Sequence, residues 1–257
     1  MRQHDGLFFQ SEGELPVVSA FISAERILST EEEGLARFFY SCLLLDSMSE
    51  GLTFREYEKK DFQRCVEITA KAWPELTGGR AAADLEVYLG PSTWRQLACI
   101  DYIPVGLLFG TIYSDLGALR KLKAPLMHAT VNAKLLLGLY GKTPDRLAWI
   151  IGGIATEKDI RRGRAEADGK IDFFVIDPTH RGKGIGKDLL QRFVEHAISR
   201  GANRISVDSL EFESWEFYVK HGFTKLSSTF RDDLHSRIRN RDVNGYQFVM
   251  DLGRNAP

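Results

Sequence analysis

Only three cysteines occur in 257 residues, at positions 42, 65 and 99. They are too few and too scattered for a disulfide framework or a paired metal site. Such sparing use fits a reducing compartment, so a cytoplasmic location is the expectation. No sign of charge dominates either. Thirty-four lysines and arginines meet thirty-five aspartates and glutamates, for a formal net charge of −1. Without a basic field the chain as a whole does not attract nucleic acid or an anionic membrane. Neither is expected as a partner, and any anion site must be local. No apolar run approaches the roughly 20 residues that span a bilayer. The stretch MRQHDGLFFQSEGELP lacks an apolar core followed by a small-residue cleavage site, so it does not read as a signal peptide. The six histidines are dispersed, with none at metal-ligand spacing, and no metal is expected.

What is present is an ordinary globular composition, 44% hydrophobic and 27% charged, and one unusual loop. Residues 180–187 read HRGKGIGK. A pyrophosphate packed against backbone needs N–H groups that converge without side chains in the way, which glycine allows. A helix starting there adds a partial positive charge and unpaired N–H groups. Arg181, Lys183 and Lys187 add cations. A Walker loop does not fit, because Arg181 stands where its first glycine belongs and Asp188 where Ser or Thr belongs. A dinucleotide fingerprint fails at Lys187, its third glycine position.

The flanks predict strand, turn and helix. KIDFFVIDP alternates with period two, with both faces apolar, and reads as a central strand that ends at Asp177-Pro178. Asp172 is expected to share a face with Phe174 and Ile176. Leu189, Leu190, Phe193, Val194, Ala197 and Ile198 form a helical stripe that stops at Gly201. RISVDSL reads as a strand, ESWEFYVKHGF as a short helix, and GFTKLSSTF and NGYQFVMDL as closing strands around a polar loop, RDDLHSRIRNRD. Upstream lie a strand at LTFREY, a helix over DFQRCVEITAKAW with Asp61 as its cap, and a hairpin breaking near Ile103-Pro104. Residues 114–169 are too long for a plain loop and form an insertion with its own helix. That helix serves either as a cover for the sheet or as a lid on an acceptor pocket. Residues 1–50 form an N-terminal extension, read either as an amphipathic helix from Thr30 or as a poorly ordered segment. The main domain covers 51–257.

The stretch FFVIDPTHRGKGIGKDLLQRFVEHAISRG resembles the acyl-CoA-binding segment of the GNAT superfamily of N-acyltransferases, whose [QR]-x-x-G-x-[GA] signature falls on Arg181, Gly184 and Gly186. SWEFYVKHGF resembles that family's aromatic pair followed by Gly-Phe. The resemblance runs from Leu52 to Leu252 and implies an α/β fold. Its mixed, mostly antiparallel sheet has splayed parallel central strands and flanking helices. It implies acetyl-CoA as cosubstrate, with pantetheine along Phe174, Val175 and Ile176 and pyrophosphate on Arg181, Gly182, Lys183, Gly184, Ile185, Gly186 and Lys187. The implied activity is N-acetyl transfer to a primary amine of a small molecule, by direct attack in a ternary complex. The alternatives are a protein lysine or N-terminal acetyltransferase and a non-catalytic acyl-CoA sensor, and a homodimer is a candidate assembly.

Acyl transfer from a thioester needs a neutral amine and a proton for the leaving sulfur. Tyr218, the tyrosine of the family-like element Phe217, Tyr218, Gly222 and Phe223, is the candidate acid, against a reading as a packed aromatic. Asp172 and Asp208, on the two strands expected to splay apart, are candidate bases. Lys170 stands where some family members carry a glutamate, which departs from the family pattern. Glu211 and Glu213, with Glu216, form either an acidic rim that draws a cationic amine or a solvated helix start.

Overall fold

The computed structural model describes residues 51–76, 79–141, 146–147, 150–154 and 166–253. The expected helix in the first fifty residues lies outside them. In chain order the elements are β1 (Leu52–Glu56), α1 (Phe62–Ala72), α2 (Arg80–Leu89), β2 (Trp94–Ile100), β3 (Ile103–Ile112), α3 (Ala118–Leu136), β4 (Gly169–Ile176), α4 (Ile185–Ser199), β5 (Arg204–Leu210), α5 (Glu216–Lys220), β6 (Thr224–Arg231), α6 (Asp233–Arg239) and β7 (Asn244–Asp251). The strands form one seven-stranded sheet in the order β1-β2-β3-β4-β5-β7-β6. Every neighbouring pair is antiparallel except β4 and β5. This is the mixed sheet with a central parallel pair that the sequence predicts.

Each face of the sheet has its own core. On one side α4 buries Ile185, Leu189, Leu190, Phe193 and Ala197 against Leu108, Ile112, Ile171, Ile205 and Val207. On the other, Cys65 and Ile68 of α1 and Leu85 of α2 pack against Leu97, Leu107, Phe109, Phe173 and Val175. Burying one such Leu, Ile or Phe side chain is worth about 1.5–3 kcal/mol, so these two layers hold the sheet rigid. Gly110 sets how closely α4 approaches. A Cβ there would lie 2.3 Å from the ring of Phe193.

A bulge in β4 changes the expected faces. Phe109 pairs with Phe173 and Gly110 with Ile171, so the register skips Asp172. Ile171 therefore joins the α4 side while Phe173 and Val175 join the α1 side. Asp172 bonds to Thr111 and to Ser92 just beyond α2, whereas Phe174 and Ile176 pack on the α4 side. The predicted common face for Asp172, Phe174 and Ile176 is thus broken by one extra residue, which strict alternation cannot reveal.

Three further differences matter. Asp61 does not cap α1 through its side chain; it pairs with Arg55 at 2.7 Å. The polar segment between β6 and β7 contains α6, with Asp232 at its N-cap accepting from the backbone N–H of His235. The insertion helix α3 packs on α2 through Val131, Leu135 and Ala83, with Lys134 bonded to Glu86. Through these described residues it covers a helix.

Candidate active site

β4 and β5 pair at only three positions, Gly169 with Ile205, Lys170 with Ser206 and Ile171 with Val207. Beyond these the strands part. β4 stays bonded to β3 as far as Ile176 with Gly106, and β5 to β7 as far as Leu210 with Gly245. Each strand is held by its outer neighbour, so a notch opens between them. The edge of β4 from Asp172 to Ile176 faces it with no ladder partner on that side. An unpaired strand edge accepts an extended ligand through backbone bonds.

The glycine loop follows directly. Asp177 accepts from the backbone N–H and the hydroxyl of Thr179 and starts the turn Pro178–His180. Gly182 and Gly184 then adopt left-handed backbone, with φ of 78° and 83°. A side chain is strained in that conformation, and a Cβ at either position would project into open space. Gly184 is the N-cap of α4, so the loop ends at the positive pole of a fifteen-residue helix. Lys183 and Lys187 are exposed and form no ion pair with described residues. Arg181 folds back, donating from Nε to the carbonyl of Ile176 at 3.3 Å. Ile185 is buried and anchors the helix start, and a Cβ at Gly186 would meet Phe174, Ile176 and Phe217 at ordinary contact distance.

The loop's base is tied to α1. Arg64 bonds Asp177 at 2.9 Å and the carbonyl of Pro104 at 3.0 Å, and Lys71 reaches the same carboxylate at 3.3 Å. Burial opposes ionisation of Asp177. The Thr179 hydroxyl and N–H, with Lys71, outweigh it and hold the carboxyl down at about 2.

Tyr218, on α5, sits among Phe174, Phe217, Phe223 and Phe248. Burial, then the nearby Glu213 and Asp208, push its phenol well above the usual range. The hydroxyl therefore keeps its proton across the working pH range, as a proton donor must, and its own titration lies outside that range.

The predicted carboxylates separate by environment. Asp208 meets Lys170, with Oδ2 2.6 Å from Nζ. Burial works against that ammonium, but Asp208 and Asp172 outweigh it and raise its pKa. Asp172 has Thr111 and Ser92 as partners. Glu211 is held by Arg241 and Asn244, which lowers its pKa and commits it to joining the end of β5 to β7. Glu213 turns inward. It accepts from the N–H of Leu210 at 2.8 Å and the hydroxyl of Ser209 at 3.0 Å, while burial raises its pKa. Glu216 is exposed in the first turn of α5. The notch thus gathers Tyr218, Asp208 and Glu213, while Glu211 serves as a strut.

Sequence reasoning passed over α2 and α6, and with them Asp84, Asp232 and His235. Asp84 lies within electrostatic reach of Glu213, His235 and Asp232. The signals were present: RAAADLEVYL is a strong helix-forming run, and Asp232 three residues before His235 is a cap pattern.

A sequence profile of the acetyltransferase (GNAT) family matches residues 131–223. A glucosamine 6-phosphate N-acetyltransferase from Trypanosoma brucei brucei is 40% identical over 77 residues, 30% of this chain and 50% of that protein. Glucosamine 6-phosphate N-acetyltransferase 1 from Oryza sativa subsp. japonica is 36% identical over 81 residues, 31% of this chain and 47% of that protein. The chain spans about half the length of these curated relatives. Among solved structures, an aminoglycoside 6'-N-acetyltransferase complexed with coenzyme A aligns with a TM-score of 0.48 at 12% identity, covering 80% of this chain and 99% of that one. The segment that carries the glycine loop, α4 and Tyr218 is thus the part of this chain that matches the acetyltransferase (GNAT) family.

Proposed function

We propose that this protein transfers an acetyl group from acetyl-CoA to a primary amine of a small molecule, by direct attack of the amine on the thioester. The observation that carries this reading is the parting of β4 from β5 after Ile171 and Val207, directly beside a left-handed glycine loop at the start of α4. The edge of β4 at Phe174, Val175 and Ile176, which β5 does not pair, suits the two amides of pantetheine, with Arg181 on the Ile176 carbonyl at its end. The N–H groups of Gly182 to Lys187 suit the pyrophosphate, with Lys183 and Lys187 on its outer oxygens.

Tyr218 supplies the proton to the leaving sulfur. Its hydroxyl is held protonated in a buried aromatic setting, so it donates without being titrated. Asp208 and Asp172 raise the pKa of Lys170 against its burial, and the three groups form a fixed electrostatic floor. Glu213, inward-facing beside Tyr218, draws the acceptor ammonium to the notch. The two curated relatives are named for an amino-sugar phosphate, which supports a small acceptor. So does the packing of α3 over α2, on the side of the sheet that Asp172 faces.

The test is a thiol-release assay with acetyl-CoA and four amines: glucosamine 6-phosphate, glucosamine, spermidine and free lysine. Stoichiometric release of CoA with one of them supports the reading. Acetyl-CoA that does not bind in calorimetry removes it.

A further inference from the structure

Among the described residues eleven large apolar side chains are exposed, and seven of them lie between Leu126 and Ile154. Single exposed apolar residues are ordinary on a protein surface, but a concentration of them marks a contact site. On α3, Leu126, Leu136 and Leu137 are between 52% and 75% exposed. With the exposed Ala129 and Ala133 they fall at helical spacing along one stripe. On the opposite stripe, Val131 and Leu135 are buried against Ala83 of α2. α3 is therefore apolar on both sides, the pattern of a helix that is covered on both. The residues that follow repeat it. Leu139 is exposed in the turn, and among the helical residues 146–147 and 150–154 the side chains of Leu147, Ile151 and Ile154 are exposed at i, i+4, i+7 spacing. Ile150 packs on the cluster of Ala83, Val131 and Leu135. Arg146 joins the two stripes, donating from Nη1 to the carbonyl of Leu136 at 3.1 Å.

Two properties of this face decide what covers it. Its polar groups are answered from within. The hydroxyl of Thr130 donates to the carbonyl of Leu126 at 2.8 Å, as Arg146 does to that of Leu136. Such a face loses little on entering a medium that offers no hydrogen bonds. The other property is charge. From Ala118 to Ile154 the sequence has six lysines and arginines against one aspartate, in a chain whose totals are thirty-four against thirty-five. α3 itself carries Arg120, Lys121, Lys123 and Lys134 and no acidic residue. The near-neutral total thus conceals a local basic segment. A second copy of the chain on this face would bring the same basic segments together, because a two-fold interface sets a patch against itself. An anionic bilayer offers both complements, a hydrocarbon boundary for the leucines and isoleucines and negative headgroups for the lysines and arginines. No helix among the described residues is long and apolar enough to cross a membrane.

We propose that the outward stripes of α3 and of residues 146–154 dock this protein on an anionic phospholipid bilayer, lying in the plane of its surface. The exposed leucines and isoleucines enter the boundary between headgroups and acyl chains, and the basic residues of the segment draw the anionic headgroups. α2 stands between this face and the sheet, holding α3 through Ala83 and the sheet through Leu85. Docking and acetyl transfer therefore use separate residues, with the glycine loop and Tyr218 outside the contact.

The experiment is flotation of the full chain with vesicles of phosphatidylcholine alone and of phosphatidylcholine with phosphatidylglycerol, alongside sedimentation velocity without lipid. The wild type is expected to float with the anionic vesicles, to stay behind with the neutral ones, and to bind more weakly as salt rises from about 0.05 to about 0.5 M. Leu137→Glu together with Ile151→Glu should lower the partition constant at least about tenfold, since two aliphatic side chains no longer leave water and two like charges face the lipid. Both positions are exposed, so thermal melting should match the wild type. Lys121→Glu together with Lys123→Glu leaves the stripes intact and should weaken flotation with anionic vesicles as well. A wild type that floats with neither vesicle, or equally with both, overturns the proposal, as does unchanged flotation in either pair of substitutions. A dimer that forms without any flotation and is lost in Leu137→Glu with Ile151→Glu overturns it too, and gives the face to a second copy of the chain.

Discussion

Lys170 and Asp208 face each other across the last paired rungs of β4 and β5, 2.6 Å apart, just where the strands begin to separate. The pair closes the bottom of the notch. The raised pKa of Lys170 means its contribution to stability is fully present through the neutral range and is lost only as pH climbs through that raised value. Asp208→Asn should cost about 3 kcal/mol, the lower end for breaking a buried pair, because both side chains keep some exposure. Replacing both, as Lys170→Met with Asp208→Leu, should cost much less. Urea unfolding of the two proteins checks this. Equal losses would mean that the charge left behind is not the source of the cost.

The glycine loop makes a second prediction. Gly184 has φ of 83°, so Gly184→Ala should destabilise the fold by about 1–2 kcal/mol through backbone strain alone. Gly184→Glu adds a negative charge beside the N-terminus of α4 and should abolish acetyl-CoA binding in a folded protein. Lys187→Ala should weaken binding by only about 1 kcal/mol, as one exposed charge. Isothermal titration with acetyl-CoA ranks the three. Unchanged affinity in folded Gly184→Glu would place the pyrophosphate elsewhere.

Asp177 gives a pH test. Its carboxyl is held at about 2, below the ordinary value of 3.8. A lowered pKa contributes stability that is present above 3.8 and lost as pH falls toward 2. That contribution is about 2 kcal/mol. Asp177→Asn should therefore unfold earlier at pH 6 and lose less further stability between pH 4 and pH 2 than the wild type. Thermal melts across that range measure both slopes. Since Asp177 ties Arg64 of α1 to the loop, the same change should also weaken acetyl-CoA binding.

Much of this architecture was legible in the sequence because its signals are local. The alternation of KIDFFVIDP, the stripe from Leu189 to Ile198 and the glycines at 182 and 184 each specify their element without distant help. What escaped depended on long-range pairing. Asp172 changed face because β3 and β4 accommodate an extra residue, and neither strand alone reveals a bulge. Asp84 and His235 are 151 positions apart, and only the folded chain brings them within electrostatic reach. Glu211 and Glu213 look alike in sequence. Only Arg241 on one side and the Ser209–Leu210 turn on the other separate the strut from the inward carboxylate.

The last prediction concerns Tyr218. A thiolate leaves an acyl carbon readily, yet collapse of the adduct is faster when sulfur gains a proton as it departs, an assistance typically worth roughly 10²- to 10⁴-fold. Tyr218→Phe keeps the ring among Phe174, Phe217, Phe223 and Phe248 and removes only the hydroxyl. Turnover should fall at least about tenfold while acetyl-CoA affinity stays nearly intact, because the contact is used in the transition state and not in the ground state. The pH profile carries a sharper test. With burial, Glu213 and Asp208 all raising the phenol, its titration lies above the accessible range, so the high-pH limb should be the same in wild type and Tyr218→Phe. Steady-state kinetics from pH 6 to pH 10, alongside direct acetyl-CoA titration, measure all three quantities. Equal turnover would reduce Tyr218 to a packing residue. A high-pH limb that vanishes in the mutant would mean that the phenol titrates within reach, and that the carboxylates press on it less than their positions require.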